Sequence, residues 1–150
     1  MRLTNYTNYS MRILMYCALR PAQTVRVQDI ARDYGISRAH LLKSARHLGH
    51  LGYLKTIRGR NGGIRLARPP AAVSVGDVVR ALEDSSDFVE CFNPATNQCP
   101  IAGVCGLSTL LREALAAFYR ELDRRTLADL VANASQLRQR LSLPEQLAPC

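Results

Sequence analysis

Three cysteines in one short segment are the side chains of this 150-residue chain best suited to do chemistry. Cys91, Cys99 and Cys105 are separated by seven and five residues, and the intervening Pro, Asn and Gly indicate a loop. Thiolates bind soft metals and iron–sulfur clusters. The spacing lacks the close cysteine pairs of a zinc ribbon and differs from a ferredoxin run. The three cysteines therefore favour metal or cluster binding, and the alternative is that they are redox-active or merely buried thiols.

The two remaining cysteines have different surroundings. Cys17 lies in an apolar run and is predicted to be a small core residue, whereas Cys150 ends the chain and is expected to be a free thiol. Three loop thiols cannot all pair internally, and a cytosolic setting disfavours structural disulfides. No fourth cluster ligand is evident. The imperfect candidates are Asn8, Asp87, Glu90 and Ser108.

The charge of the chain is unevenly distributed. Residues 1–70 carry 13 Lys and Arg against Asp29 and Asp33, a net charge of +11, whereas residues 71–150 carry 7 Lys and Arg against 10 Asp and Glu, a net charge of −3. A folded module this basic is expected to bind a polyanion, with DNA favoured over the alternative of a merely solubilising face. The apolar runs are too short to span a bilayer and no signal-peptide core is visible, so we expect a cytoplasmic protein.

The basic half contains a helix-turn-helix pattern. A first helix is predicted over about residues 8–19, and a second, short helix over 24–34. Gly35 supplies the turn, and Ser37 is a suitable N-cap for a third helix, about Arg38–Gly49. The polar face of this third helix is basic, and such a helix lies in the major groove of DNA.

A β-hairpin is predicted after the third helix. Two short apolar strands flank the glycine-rich segment 59–63, which predicts a wing whose arginines reach phosphates or a minor groove. Arg38, His40 and Lys43 are expected to meet base edges, and the other members of the set to meet phosphates or the groove. The full set of predicted DNA-contacting residues is Ser37, Arg38, His40, Lys43, Ser44, Arg46, Arg58, Arg60 and Arg65.

The acidic half is predicted to hold the cysteine loop between helices. A short helix opens at Ser74, and a helical pattern of about 35 residues, 107–141, would form a rod of about 50 Å. A small winged module cannot cover such a rod, so a homodimer through this helix is expected; the alternative is a break near Asp123–Asp129 and a fold back. The fold class is mainly α with a small β-hairpin wing: a winged helix-turn-helix (1–70), a short helix and cysteine loop (71–106), and a dimerisation helix and tail (107–150).

The motifs resemble one known family. They are the start Met1-Arg2-Leu3-Thr4 with Tyr9, Arg12, Leu14 and Met15, the wing 58–66, and the segments Glu90-Cys91-Phe92, Asn97-Gln98-Cys99-Pro100 and Cys105-Gly106-Leu107. Over roughly residues 1–130 they resemble the iron–sulfur winged-helix repressors that include IscR, NsrR and RirA.

The resemblance implies a dimeric repressor of a double-stranded DNA operator, with one cluster per subunit bound by Cys91, Cys99 and Cys105. The IscR-like branch has a histidine where this chain has Ser108, and the NsrR-like branch has an aspartate ligand where it has Asn8. The RirA-like iron regulators are the most similar branch, which favours [4Fe–4S] over [2Fe–2S].

Other functions stay open beside this one. They are a nitric-oxide-sensing NsrR-like repressor, a cluster-free thiol- or zinc-responsive regulator, and a winged-helix assembly module with a structural metal. The sequence contains no catalytic constellation, so an enzyme is not expected.

Overall fold

The computed structural model combines helices with one β-hairpin and describes residues 3–21, 23–84 and 88–144. Short 3₁₀ turns lie at Pro70–Ala72 and Glu90–Phe92. The helices and strands of the described residues are α1 (Asn5–Ala18), α2 (Val27–Tyr34), α3 (Arg38–His50), β1 (Leu54–Ile57), β2 (Gly63–Leu66), α4 (Val75–Leu82), α5 (Gly106–Asp123), α6 (Leu127–Leu130) and α7 (Ala134–Arg140). The first helix therefore begins three residues earlier than predicted, and the second begins three residues later.

The core lies where α1 crosses α2 and α3. Ile13 of α1, Ile30 of α2, and Leu41 and Leu48 of α3 are fully buried. Their helical spacing places one apolar stripe per helix toward the others. Burial of each such side chain stabilises the fold by roughly 1.5–3 kcal/mol, so this stripe sets the orientation of α3.

The turn between α2 and α3 is built on a glycine. Gly35 has φ 63°, a left-handed conformation, and its N–H donates to the carbonyls of Ala31 and Arg32. A residue with a Cβ adopts this conformation at a cost, and glycine does not. The structure thus confirms the predicted helix-turn-helix.

The wing is an antiparallel hairpin in which Leu54 pairs with Leu66 and Ile57 pairs with Gly63. Ile64 also bridges Val25, which ties the hairpin to the segment before α2. A Cβ on Gly63 would collide with the Val25 carbonyl, so glycine is required for this close approach. The predicted fold class is confirmed by these elements.

The predicted continuous helix over 107–141 is wrong. Helix α5 ends at Asp123, and a new helix, α6, begins at Leu127 with Thr126 as its N-cap. The side chains of Thr126 and Asp129 form a reciprocal capping box. Such a box satisfies the backbone N–H groups that a helix start leaves free, so it favours a new start here. The alternative break near Asp123–Asp129 is the one observed.

The chain then folds back on the winged module. Leu127 is fully buried, and its N–H donates to the Val73 carbonyl at 2.9 Å. From α7, Arg138 donates to the Leu19 carbonyl at 2.9 Å. Burying Leu127 in the shared core gains more than leaving it on an isolated rod. The predicted free thiol Cys150 lies outside the described residues. Within the described residues no helix is long and apolar enough to cross a membrane.

Candidate nucleic-acid interface and cysteine loop

The exposed face of α3 is basic. Arg38, Lys43 and Arg46 are exposed, while Leu41 and Leu48 of the same helix are buried. The cations therefore project away from the core because the leucine stripe points inward. This face can meet phosphates and the edges of bases.

Two serines predicted to touch DNA have opposite surroundings. Ser37 is exposed and, among the described residues, makes no side-chain capping hydrogen bond, so its hydroxyl can reach a ligand. Ser44 is 0% exposed, and its hydroxyl has no hydrogen-bond partner within the described parts of the chain. The predicted contact of Ser44 with DNA is therefore wrong, because the residue lies on the buried side of α3.

Two further residues that were predicted to contact DNA pack against aromatic side chains of α1. The His40 ring stacks on Tyr9 with centroids 6.2 Å apart, and Nζ of Lys43 lies 5.9 Å from the centre of the Tyr6 ring. Both side chains remain exposed. The aromatic rings limit the rotamers of these side chains, so their direction from α3 is partly set by α1.

His47 joins α3 to α1. Its Nδ1 lies 2.7 Å from the Tyr6 hydroxyl, and the two rings stack at 5.8 Å. Burial raises the pKa of Tyr6. His47 is half-buried, and the hydrogen bond makes it a structural residue of the recognition helix.

The wing presents Arg58, Arg60 and Arg65 to solvent. Arg65 lies directly opposite Lys55 in the hairpin register. Like charges at opposed positions destabilise an isolated sheet, and a bound polyanion relieves the repulsion. Arg26 supports the tip, since its guanidinium donates to the Arg60 carbonyl at 3.3 Å.

Sequence reasoning missed Lys55 and Arg26. The charge of Lys55, in a strand next to a basic tip, could have indicated a DNA contact from the sequence. Its position opposite Arg65 is known only from the register of the hairpin. Arg26 had no local signal, because its partner Arg60 lies 34 residues away.

The first cysteine of the loop is tied to α5. The Cys91 thiol donates to the Ser108 hydroxyl at 3.4 Å, and Arg112 donates to the Cys91 carbonyl at 3.1 Å. The same guanidinium lies 4.4 Å from the centre of the Phe92 ring. These contacts hold the Cys91 turn against the first two turns of α5, just past Cys105.

The second half of the loop is tied back to the first. A Glu90 carboxylate oxygen accepts the Gln98 N–H at 2.7 Å, so the neighbours of Cys91 and Cys99 are held together. Cys105 is the N-cap residue of α5, and all three thiols are half-buried and free. Within the described residues, no three His, Cys, Asp or Glu side chains lie close enough to hold a metal ion.

The donor set nevertheless fits an iron–sulfur cluster in its chemistry. Iron–sulfur clusters are bound by cysteine thiolates, and this hydrogen-bonded loop carries three free, partly accessible thiols. Cys17 is different: it lies buried in the hydrophobic core, which confirms the prediction of a core residue. Burial raises its pKa to about 12 and so favours the neutral thiol.

None of the candidate fourth ligands joins the three thiols in a group within the described structure. Asn8 is exposed on α1, and its side-chain oxygen accepts from Arg12 at 3.0 Å. The Glu90 carboxylate accepts from the Gln98 N–H, and the Ser108 hydroxyl accepts from the Cys91 thiol. Asp87 lies outside the described residues.

Helix α5 carries an uncovered apolar surface. Leu107 and Leu110 are 62% and 60% exposed, and none of the 18 residues of α5 is buried in the described structure. Ile101 and Val104, just before the helix, are also exposed. A contiguous apolar patch of this kind is typical of a protein interface.

Comparison with known proteins points to one family. The pattern of the Rrf2 family, described as an iron-dependent transcriptional regulator, matches residues 3–133. The HTH-type transcriptional regulator NsrR of Bacillus subtilis is 47% identical over 146 residues, which cover 97% of this chain and 100% of the relative. Protein aau3 of Rhizobium meliloti is 44% identical over 149 residues, which cover 99% of this chain and 97% of the relative.

Solved structures agree on the fold. The structure of T. potens IscR superposes with a TM-score of 0.73 at 24% identity, covering 100% of this chain and 94% of that chain. The structure of CymR, the global cysteine regulator of B. subtilis, superposes with a TM-score of 0.68 at 25% identity, covering 89% and 98% of the two chains. Both match the winged helix-turn-helix arrangement found here.

Proposed function

Because this chain belongs to the Rrf2 family of transcriptional regulators, we propose that it is an NsrR-like repressor that senses nitric oxide through an iron–sulfur cluster. Its relatives are HTH-type transcriptional regulators, so the chain is a DNA-binding regulator rather than an enzyme. The RirA-like branch expected from the cysteine spacing is not specifically supported, and relatives named NsrR, 46% and 47% identical over nearly the whole chain, favour the alternative.

The observation that carries the proposal is the placement of three free, partly accessible thiols on a loop beside a winged helix-turn-helix. Cys91, Cys99 and Cys105 would hold the cluster. The hydrogen bonds of Gln98 to Glu90 and of Arg112 to Cys91 hold the two ends of this segment together and against α5. A bound cluster supplies iron to which nitric oxide binds.

The DNA side of the proposal rests on the exposed cations of α3 and of the wing. Arg38 and Lys43 lie in the first half of α3, where base edges are met, and Arg60 lies at the wing tip. A guanidinium that reads guanine with two hydrogen bonds contributes roughly 1–3 kcal/mol of discrimination. Binding to chromosomal DNA is a cytoplasmic role.

A homodimer completes the operator-binding unit. We assign its interface to the exposed apolar side chains of α5, because a second copy of the same helix would cover them. A two-fold dimer would present its two α3 helices to half-sites about 34 Å apart. The dimer helix is then α5 alone, since α6 and α7 fold back.

The test is anaerobic purification followed by an absorption spectrum, iron and sulfide counts, and operator-binding titrations. Release of DNA by a nitric oxide donor, with chelators inactive, is the expected result. Release by chelators alone would restore the RirA-like iron sensor. A protein that stays colourless after reconstitution would instead be a thiol- or zinc-responsive regulator.

A further inference from the structure

A series of hydrogen bonds joins the start of the cysteine loop to the recognition helix. Glu83 directly follows α4 and precedes the loop. One oxygen of its carboxylate accepts from the Thr4 N–H at 2.7 Å and from the Thr4 hydroxyl at 2.9 Å. Thr4 is the N-cap of α1, and its hydroxyl accepts the Thr7 N–H at 3.2 Å. The residue that opens the loop therefore holds the first turn of α1.

The same turn of α1 holds α3. Tyr6 lies two residues after Thr4, and its hydroxyl is bonded to Nδ1 of His47 at 2.7 Å. The stacked rings, 5.8 Å apart, add a second contact between the same two residues. Lys43, one turn before His47 and on the same helix, lies over the Tyr6 ring. A displacement of Tyr6 would therefore alter the position of a cation proposed to meet DNA.

Elsewhere α1 and α3 are locked by packing, which makes this end the adjustable one. The side chains of Ile13, Leu41 and Leu48 are fully buried, whereas Thr4 is exposed and Tyr6 and His47 are half-buried. Packed interiors resist deformation, and polar contacts near the surface exchange partners at lower cost. A change in the loop would reach α3 through the polar end of α1.

We infer that Glu83 and Tyr6 are positioning residues that couple the state of the cysteine loop to the orientation of α3. This inference depends on the proposed function only for the identity of the signal that the loop senses. Glu83 sets the N-terminus of α1, and Tyr6 transmits that setting to His47. Both residues act on α3 through α1.

The chain offers matched variants for each contact. Glu83→Ala removes the acceptor of both Thr4 bonds, whereas Glu83→Gln keeps one side-chain oxygen in the same place and should rescue. Tyr6→Phe removes the hydroxyl bonded to His47 and keeps the ring. Tyr9→Phe is its control, because the Tyr9 hydroxyl makes no hydrogen bond within the described residues.

The first measurement reads the connection without a cluster. Nitrogen NMR of the His47 imidazole in the cluster-free protein should change in Glu83→Ala and Tyr6→Phe and stay near wild type in Glu83→Gln and Tyr9→Phe. A purely local role for Glu83 would leave the His47 signals of Glu83→Ala unchanged, and that result would overturn the coupling.

The second measurement is the ratio of operator Kd between cluster-loaded and cluster-free protein. Glu83→Ala removes two hydrogen bonds and Tyr6→Phe removes one. Either single variant should reduce this ratio by about threefold to tenfold. The double variant should fall no further than the lower single, because the two contacts act in series. If the losses of the two single variants added up in the double variant, the contacts would act independently, and the proposed coupling in series would be overturned. In a chain that takes up no cluster the proposed function fails, and the His47 signals still decide whether Glu83 acts on α3.

Discussion

Ser44→Ala should stabilise the protein and leave operator affinity unchanged. Ser44 is fully buried on α3, and its hydroxyl has no hydrogen-bond partner in the described part of the chain. An unsatisfied buried hydroxyl costs about 1–3 kcal/mol, and alanine is the better helix former by about 0.5 kcal/mol. The oxygen that is removed leaves a small void, which offsets part of this gain.

The net gain is about 1–2 kcal/mol in the free energy of unfolding. For a chain of this size it corresponds to a rise of roughly 2–8 °C in Tm. Urea denaturation and thermal scans at one fixed protein concentration measure the gain, since the proposed dimer would make Tm depend on concentration. Operator titrations with the same samples measure Kd.

Ser37→Ala is the matched control, because Ser37 was predicted to touch DNA on the same grounds and lies exposed at the start of α3. It should leave the unfolding free energy within about 0.5 kcal/mol of wild type and weaken operator binding by roughly fivefold, the value of one hydrogen bond. Weaker DNA binding by Ser44→Ala with no gain in stability would refute the assignment of that hydroxyl to the core.

Three further predictions test the wing, the fold-back and the cysteines. Arg60→Ala should weaken binding to all operator sequences and reduce the slope of log Kd against log salt by about 0.9 for each phosphate that Arg60 neutralises; an unchanged slope in salt titrations would remove Arg60 from the interface. Leu127→Ala should cost about 2–5 kcal/mol in urea denaturation because it empties a fully buried site; a destabilisation below about 1 kcal/mol would contradict the fold-back onto the core. Cys99→Ala should abolish the visible absorbance of reconstituted protein while Cys17→Ala retains it, since burial keeps Cys17 a neutral thiol; a fully coloured Cys99→Ala would exclude that ligand.

Local patterns predicted the helix-turn-helix and the wing. Gly35 and the apolar stripe of Leu41 and Leu48 are short-range signals, and the structure places the turn and the helix where those residues require them. The hairpin followed from a glycine-rich tip between two apolar runs. Such features depend on contacts between residues close in the chain, which periodicity and turn chemistry report directly.

The C-terminal half was predicted less well, because two helical patterns in succession look like one. The spacing of apolar residues continues across Asp123–Asp129, so periodicity alone favoured a rod. The break depends on the capping box of Thr126 and on the burial of Leu127 against Val73, which lies 54 residues earlier in the chain. That burial is a tertiary contact, and no local window contains it.

Tertiary packing also decided which polar residues of α3 are buried and which are exposed. Ser37 and Ser44 were predicted to contact DNA on the same grounds, yet the folded structure buries only the second. The bonds of His47 to Tyr6 and of Glu83 to Thr4 join residues 41 and 79 positions apart. Residue types and local spacing thus determined which chemistry is available, namely three thiols and a basic recognition helix. The tertiary packing decided which of those side chains face solvent and which connect the loop to α3, because burial and long-range partners exist only once the helices have docked.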